Sequence, residues 1–229
     1  MNLFLTPHLV CVPFFCALSI PANAGFVIQA TSVTTNMGEW SNLFPKEAMI
    51  SQKGLITPYV SGVTDFDSYI ASNPQHQQDT SSNFDGTWSR WVSSHNITTG
   101  FVDFNLGGSS TIESVVMWQF GGSIGNNIQT FNLLVDADGD FSSGATTLLS
   151  NQFADISLGR EVFEFAATEA QFVRLEITSN AGGPNTQLRE IAFEGSASQA
   201  VPEPASLAMW SMMGGIGLLV RRRERRQAA

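Results

Sequence analysis

The sequence predicts an all-β fold, an antiparallel β-sandwich with an N-terminal signal peptide before it and a C-terminal transmembrane helix after it. Two observations predict the sandwich: apolar and polar residues alternate along short segments, and Gly, Asn, Asp and Ser cluster between those segments. A third observation predicts the C-terminal helix, because an apolar run there is followed at once by arginines.

Alternation with a period of two is clearest in residues 101–106, where Val102, Phe104 and Leu106 alternate with Asp103 and Asn105. Residues 112–120 are apolar on both faces, which predicts a central strand covered on both sides. A short helix is predicted at 42–49. The other strands are predicted at 26–33, 128–135, 161–165, 172–178 and 188–194. Six or more strands at this spacing, with no helix of convincing length, predict a sandwich over residues 25–195.

The N-terminal segment, residues 1–24, has no charged side chain and an apolar stretch from Leu9 to Ile20. It ends in Ala22-Asn23-Ala24, which predicts a signal peptide cleaved after Ala24. The alternative is an N-terminal membrane anchor. Both cysteines of the chain lie in this segment, so the exported domain is expected to have no disulfide bond.

The C-terminal segment begins with a linker and a Pro202-Glu203-Pro204 motif, together residues 196–204. Residues 205–220 are 16 largely apolar residues, about 24 Å as a helix, and Arg221-Arg222-Arg223 open a basic tail at 221–229. The alternative is a buried core helix. The arginines directly behind the run favour a transmembrane helix with a cytoplasmic tail.

This order of motif, short span and arginine cluster resembles the PEP-CTERM sorting signal of Gram-negative bacteria that make exopolysaccharide. The resemblance implies that an exosortase recognises the tail and cleaves near Pro204. It also implies that the protein stays only transiently in the inner membrane and then reaches the cell surface or extracellular matrix.

Charge limits the partners of the domain. Residues 25–200 carry 18 acidic and 6 basic side chains, a formal charge of −12. Nucleic acids and anionic lipids need clustered Lys and Arg, so neither is an expected partner of the domain. A neutral polysaccharide, or an anionic one bridged by a cation, is compatible with this charge.

A series of short motifs in the domain is similar to discoidin (coagulation factor 5/8 type C) domains. The resemblance implies their galactose-binding-like jelly-roll fold, here over roughly residues 45–195. The motifs are, in order, Asp85-Gly86-Thr87-Trp88, Leu106-Gly107, residues 112–118, Phe172-Val173-Arg174-Leu175 and Leu188-Arg189-Glu190-Ile191.

Two places are candidates for a structural Ca²⁺ ion. Asp136, Asp138 and Asp140 alternate in a loop, so their carboxylates are able to converge on one cation. The alternative there is an acidic turn between two strands. The discoidin resemblance implies a second site at Asp85, Thr87 and Glu190, for which the alternative is a capping turn and a surface glutamate.

Ligand binding in discoidin-like folds uses loops at one end of the sandwich, and Trp88, Arg90, Trp91 and His95 lie in such a loop. Aromatic faces stack on sugar rings, and Arg and His donate hydrogen bonds to hydroxyl groups, so these four residues are the predicted glycan site. The alternative is that one or both tryptophans fill the core.

No enzyme is predicted. After export only His76 and His95 remain as histidines, no cysteine remains, and no Gly-x-Ser-x-Gly motif is present. The expected function is therefore to bind or organise extracellular polysaccharide, as in a biofilm. The alternatives are a structural matrix protein without a specific ligand and a glycan-active hydrolase with two carboxylates in a cleft.

Overall fold

The computed structural model describes residues 25–80, 84–155 and 159–197. The predicted signal peptide, sorting motif, transmembrane segment and arginine tail lie outside these residues. Within them, no helix has the length and apolar character needed to cross a membrane. The strands are β1 (Phe26–Ile28), β2 (Ser32–Thr35), β3 (Trp91–Val92), β4 (Gly100–Trp118), β5 (Ile128–Asp136), β6 (Thr146–Phe153), β7 (Arg160–Asn180), β8 (Gln187–Leu188) and β9 (Glu190–Ala197), and the α-helix α1 is Phe66–Ala71.

Strand β4 belongs to both layers of the sandwich. Its first half pairs with β2, and its second half pairs with β9. Between the two halves the register shifts from Asn105 to Ser110, at a bulge that contains Gly107. Gly107 has φ +84°, and a Cβ atom at this position would lie 2.7 Å from the Thr31 side chain. Glycine is required there, and the bulge lets one strand bend from one layer to the other.

Strand β7 follows β4 along its whole length and bends with it. Its second half also pairs with β5, and β5 pairs with the edge strand β6. The apolar faces of the two layers meet in the core. There the rings of Phe104 and Phe193 lie 6.0 Å apart, and those of Phe131 and Phe163 lie 5.0 Å apart. The predicted all-β antiparallel sandwich is confirmed.

The layer that contains β9 is covered on its outer face as well. Val116 and Trp118 of β4 pack there in a second apolar cluster with Phe66 and Tyr69 of α1. The helix begins at Asp65, whose carboxylate accepts a hydrogen bond of 2.8 Å from the Ser68 N–H. The strand predicted at 112–120 is covered on both sides, as predicted, but it ends at Trp118.

Several predicted elements have different bounds. Residues 101–106 and 112–118 form one strand, β4, and residues 161–165 and 172–178 form one strand, β7. The predicted first strand is divided into β1 and β2. The predicted helix at 42–49 is a 3-10 turn, Lys46–Ile50. Strands β3 and β6 and helix α1 were not predicted; β3 lies within the segment that was expected to be a loop.

Candidate functional site

A partly exposed cluster of four aromatic rings lies where the chain before the 3-10 turn meets the loop that leads into β3. Trp40 stacks on Phe44 with ring centroids 5.3 Å apart, and Phe44 stacks on Trp88 at 6.4 Å. Phe84 lies against the same Trp88 ring at 4.7 Å. Trp40 is 57% exposed and Phe84 is 39% exposed. We call Trp40, Phe44, Phe84 and Trp88 the aromatic platform.

Backbone hydrogen bonds hold the platform to the sandwich. The Trp40 N–H donates to the Val92 carbonyl of β3 at 2.9 Å, and the Trp88 N–H donates to the Leu43 carbonyl at 2.8 Å. The two loops are therefore tied to each other and to a strand. Loops fixed in this way lose little conformational freedom when a ligand binds to them.

Arg90 lies behind the platform. Its guanidinium carbon is 4.8 Å from the centre of the Phe44 ring and 5.9 Å from that of Trp88. The guanidinium forms an ion pair with Asp79, whose side chain is only 5% exposed. Burial lowers the pKa of Arg90 to about 10, which still leaves it charged at neutral pH. Cation–π contacts of this kind fix the orientation of the rings.

The four predicted glycan-site residues are not brought together. Trp88 is half-buried in the platform, and Arg90 supports the platform from behind. Trp91 is fully buried, and its indole N–H donates to the Gly38 carbonyl at 2.8 Å. Trp91 is therefore a core residue, as in the alternative, because β3 turns its side chain inward. His95 is exposed in the turn that follows β3.

Trp40 and Phe84 were missed as candidates for this surface. Each is a single aromatic residue in an irregular segment, and they lie 44 positions apart in the chain. Only the fold brings them into one cluster, in which Phe84 contacts Trp88 directly and Trp40 reaches it through Phe44. The nearest signal in the sequence is the concentration of aromatic residues between positions 84 and 91.

At the calcium site that the resemblance implies, Lys53 is bonded to the expected donors. Its ammonium group forms an ion pair with Asp85 and hydrogen bonds with the Thr87 carbonyl oxygen and, at 2.8 Å, with the Thr87 hydroxyl. The ammonium group keeps the pKa of Asp85 below its ordinary value. A divalent cation bound to the same oxygens would be repelled by this charge, so with Lys53 in place the set does not fit calcium.

Glu190, the third residue of that set, has other partners. Its carboxylate accepts a hydrogen bond of 2.9 Å from the Gln52 N–H and a longer one of 3.4 Å from the Tyr59 hydroxyl. Burial raises the pKa of Glu190 well above its ordinary value. Glu190 is a fully buried residue of β9, and this differs from the surface glutamate of the alternative.

The other calcium candidate, the loop of three alternating aspartates, has the predicted geometry. Asp136, Asp138 and Asp140 each offer one carboxylate oxygen, and these oxygens lie within 4.8 Å of one another. Asp136 also accepts hydrogen bonds of 3.0 Å from the N–H groups of Asp138 and Phe141, as in an acidic turn. These contacts are compatible with both interpretations, so calcium at this loop stays a prediction.

Comparisons with known structures agree with this architecture. A mutant of chitosan-binding module 1, derived from a chitosanase/glucanase of Paenibacillus sp. IK-5, is 17% identical with a TM-score of 0.50, over 75% of this chain and 99% of that one. The CBM32-1 and CBM32-2 domains of Clostridium perfringens ZmpB, in complex with GalNAc, are 9% identical with a TM-score of 0.52, over 74% of this chain and 34% of that one. At this identity the likeness concerns the fold.

No curated protein gives a significant match to the sequence. The model of the F5/8 type C domain matches residues 68–191. This range holds most of the core strands, the Trp88 and Phe84 rings of the platform and all residues of both calcium candidates. The match covers more than half of the 229 residues, and the chain therefore belongs to the F5/8 type C domain family.

Proposed function

We propose that this protein is an exported, non-enzymatic glycan-binding protein that binds or organises extracellular polysaccharide through the aromatic platform. The observation that carries the proposal is the partly exposed, pre-ordered set of Trp40, Phe84 and Trp88 rings. The apolar face of a pyranose ring packs on an aromatic face, and several adjacent rings allow contact with more than one sugar unit.

The net charge of the domain and the similar folds also support a glycan ligand. With a formal charge of −12 over residues 25–200, the domain lacks the basic clusters that nucleic acids and anionic lipids require. Among the similar folds, one is a chitosan-binding module and another was solved with GalNAc. Both descriptions are in line with a sugar ligand for this chain.

The platform favours this proposal over a structural matrix protein without a specific ligand. Exposed aromatic rings cost free energy in water, and a passive domain has no need to hold three of them in one stacked cluster. The Trp88 end of the loop is partly exposed and His95 is exposed, so the loop is accessible to a ligand.

The test of the platform is the binding of the purified protein to the exopolysaccharide of the producing bacterium by affinity electrophoresis. We expect Trp40→Ala and Trp88→Ala each to weaken binding at least about tenfold, since buried aromatic anchors dominate interface energies. The matched control is Phe153→Ala, because Phe153 is 56% exposed on β6 and is not part of the platform. Wild-type affinity in both tryptophan variants, or an equal loss in the Phe153 variant, would refute the platform as the site.

We further propose that the C-terminal segment is a PEP-CTERM signal and that an exosortase removes it, which places the domain at the cell surface or in the matrix. The support is the order Pro202-Glu203-Pro204, residues 205–220 and the arginine cluster from Arg221. Mass spectrometry of the protein from its native host should find no peptide beyond Pro204. Intact arginine tails on most molecules would instead make the segment a permanent anchor.

A further inference from the structure

A partly enclosed cavity of about 90 Å³ lies at the end of the sandwich where β4 ends and β7 begins. Arg160, Arg189, His76, Gln78 and Trp118 are among the residues that line it, and we call it the arginine pocket. A water molecule occupies about 30 Å³ of liquid, so the pocket has room for roughly three waters or for one small polar group.

The two arginines of this pocket differ from every other basic residue of the domain. All 6 basic and all 18 acidic residues between positions 25 and 200 lie in the described part of the chain. Lys46, Lys53, Arg90 and Arg174 each form an ion pair with a carboxylate. No such pair forms at Arg160 or Arg189 in the described residues, although carboxylates outnumber basic groups threefold.

Arg189 is the more buried of the two, with 2% of its surface exposed. One terminal nitrogen donates to the Gln78 side-chain oxygen at 3.2 Å, and its Nε atom has no partner among the described residues. Burial lowers the pKa of Arg189 to about 10, so the group stays charged at neutral pH. A buried charge without a counter-ion is strongly unfavourable.

Arg160 is held at the other side of the pocket. Its terminal nitrogens donate to the Ile70 carbonyl at 3.1 Å and to the Asn73 side-chain oxygen at 3.3 Å. These contacts orient the guanidinium group but leave its Nε atom buried and without a partner in the described structure. Both arginines therefore line one small cavity without a carboxylate partner in the described residues.

His76 adds a hydrogen-bond acceptor to the residues that line the pocket. Its Nδ1 atom lies 3.1 Å from the Gln77 carbonyl oxygen, and the neutral tautomer that makes this hydrogen bond carries its proton on Nδ1. The Nε2 atom is buried and makes no hydrogen bond among the described residues, and in this tautomer it is an acceptor. Burial lowers the pKa of His76 to about 4, which keeps the ring neutral near pH 7. The pocket combines two cationic donors with one acceptor.

The arginine pocket is connected to the aromatic platform through one ring. The Phe120 ring contacts two guanidinium groups, with its centre 4.6 Å from the Arg189 carbon and 4.2 Å from the Arg90 carbon. Arg90 in turn contacts Phe44 and Trp88 of the platform. The pocket and the platform thus belong to one continuous set of packed side chains.

We infer that the arginine pocket binds the carboxylate of a sugar acid, with the two guanidinium groups donating to the carboxylate and His76 Nε2 accepting from a neighbouring hydroxyl. The inference rests on the proposed glycan binding and makes the substrate class an acidic, uronate-containing polysaccharide. The carboxylate supplies the counter-ion that both arginines lack. The two arginines recognise the carboxylate through contacts inside the pocket, although the net charge of the whole domain is negative.

The test is isothermal titration calorimetry of the purified protein with D-glucuronate and with D-glucose at one fixed ionic strength. The two sugars differ in one carboxylate group, and we expect glucuronate to bind at least about tenfold more tightly. Arg160→Gln should remove most of this preference, so that the affinity for glucuronate falls close to that for glucose. Arg160 is chosen because it is partly exposed, so its replacement is compatible with folding.

Arg174→Gln is the matched control, because it removes the same charge from β7 outside the pocket and should keep the preference for glucuronate. Equal affinities for the two sugars, or an unchanged preference in Arg160→Gln, would overturn the inference. So would competition by sulfate as strong as that by glucuronate, since it would show an inorganic anion site. The polysaccharide assay with Trp88→Ala is separate, so failure of the pocket is distinguishable from failure of the platform.

Discussion

Replacing Asp79 by alanine should lower the free energy of unfolding by about 3–5 kcal/mol, the usual effect of leaving one partner of a buried ion pair without its counter-charge. Asp79 pairs with Arg90, and their side chains are 5% and 16% exposed. The Ser89 hydroxyl also donates to Asp79 and would lose its acceptor. Denaturant unfolding followed by circular dichroism measures the change.

Two further variants decide whether the uncompensated charge is the cause. Asp85→Ala breaks the ion pair between Asp85 and Lys53. Because the Asp85 side chain is 70% exposed, the loss in free energy of unfolding should be far smaller. Adding Arg90→Met to Asp79→Ala removes the unpaired charge and should recover part of the stability. A double variant less stable than Asp79→Ala would contradict this explanation.

Chelation of calcium should lower the melting temperature of the protein if the loop of Asp136, Asp138 and Asp140 holds the ion. A ligand present at one hundred times its dissociation constant stabilises the folded state by about 2.7 kcal/mol. For a domain of this size that is a shift of roughly 5–10 °C. Differential scanning calorimetry with excess EDTA, and again after calcium is restored, measures it.

Single substitutions assign the effect to one loop. Asp138→Asn removes one of the three converging carboxylates and should abolish the response to EDTA. Asp85→Asn should leave the response unchanged, because Lys53 is already bonded to Asp85 and Thr87. An identical melting curve with and without EDTA would exclude calcium as a structural element of the folded domain.

The sheet was predictable from the sequence because its interior strands follow the period-two rule. Strands such as β5 bury alternate residues, and the doubly apolar end of β4 is covered on both sides. The edge strand β6 was not predicted because only one of its neighbours is a strand and none of its residues is fully buried. Helix α1 has six residues, too few for a 3.6-residue periodicity to be visible.

The candidate site was less predictable, because its geometry depends on contacts between distant segments. A tryptophan in a loop has the same sequence signature whether it faces the core, as Trp91 does, or lies at the surface, as Trp88 does. The position of Lys53 beside Thr87 is likewise a contact between residues 34 positions apart. Residue types restricted the ligand class, whereas the fold decided which of those residues form a surface.

The position of β9 also determines how the domain bears mechanical load. This strand is the last of the described sequence, yet it lies between β1 and β4, with ladder hydrogen bonds on both sides. Tension that enters through the residues after Ala197 is therefore divided between two rows of hydrogen bonds. An edge strand in the same place would carry that force on one row and peel away first.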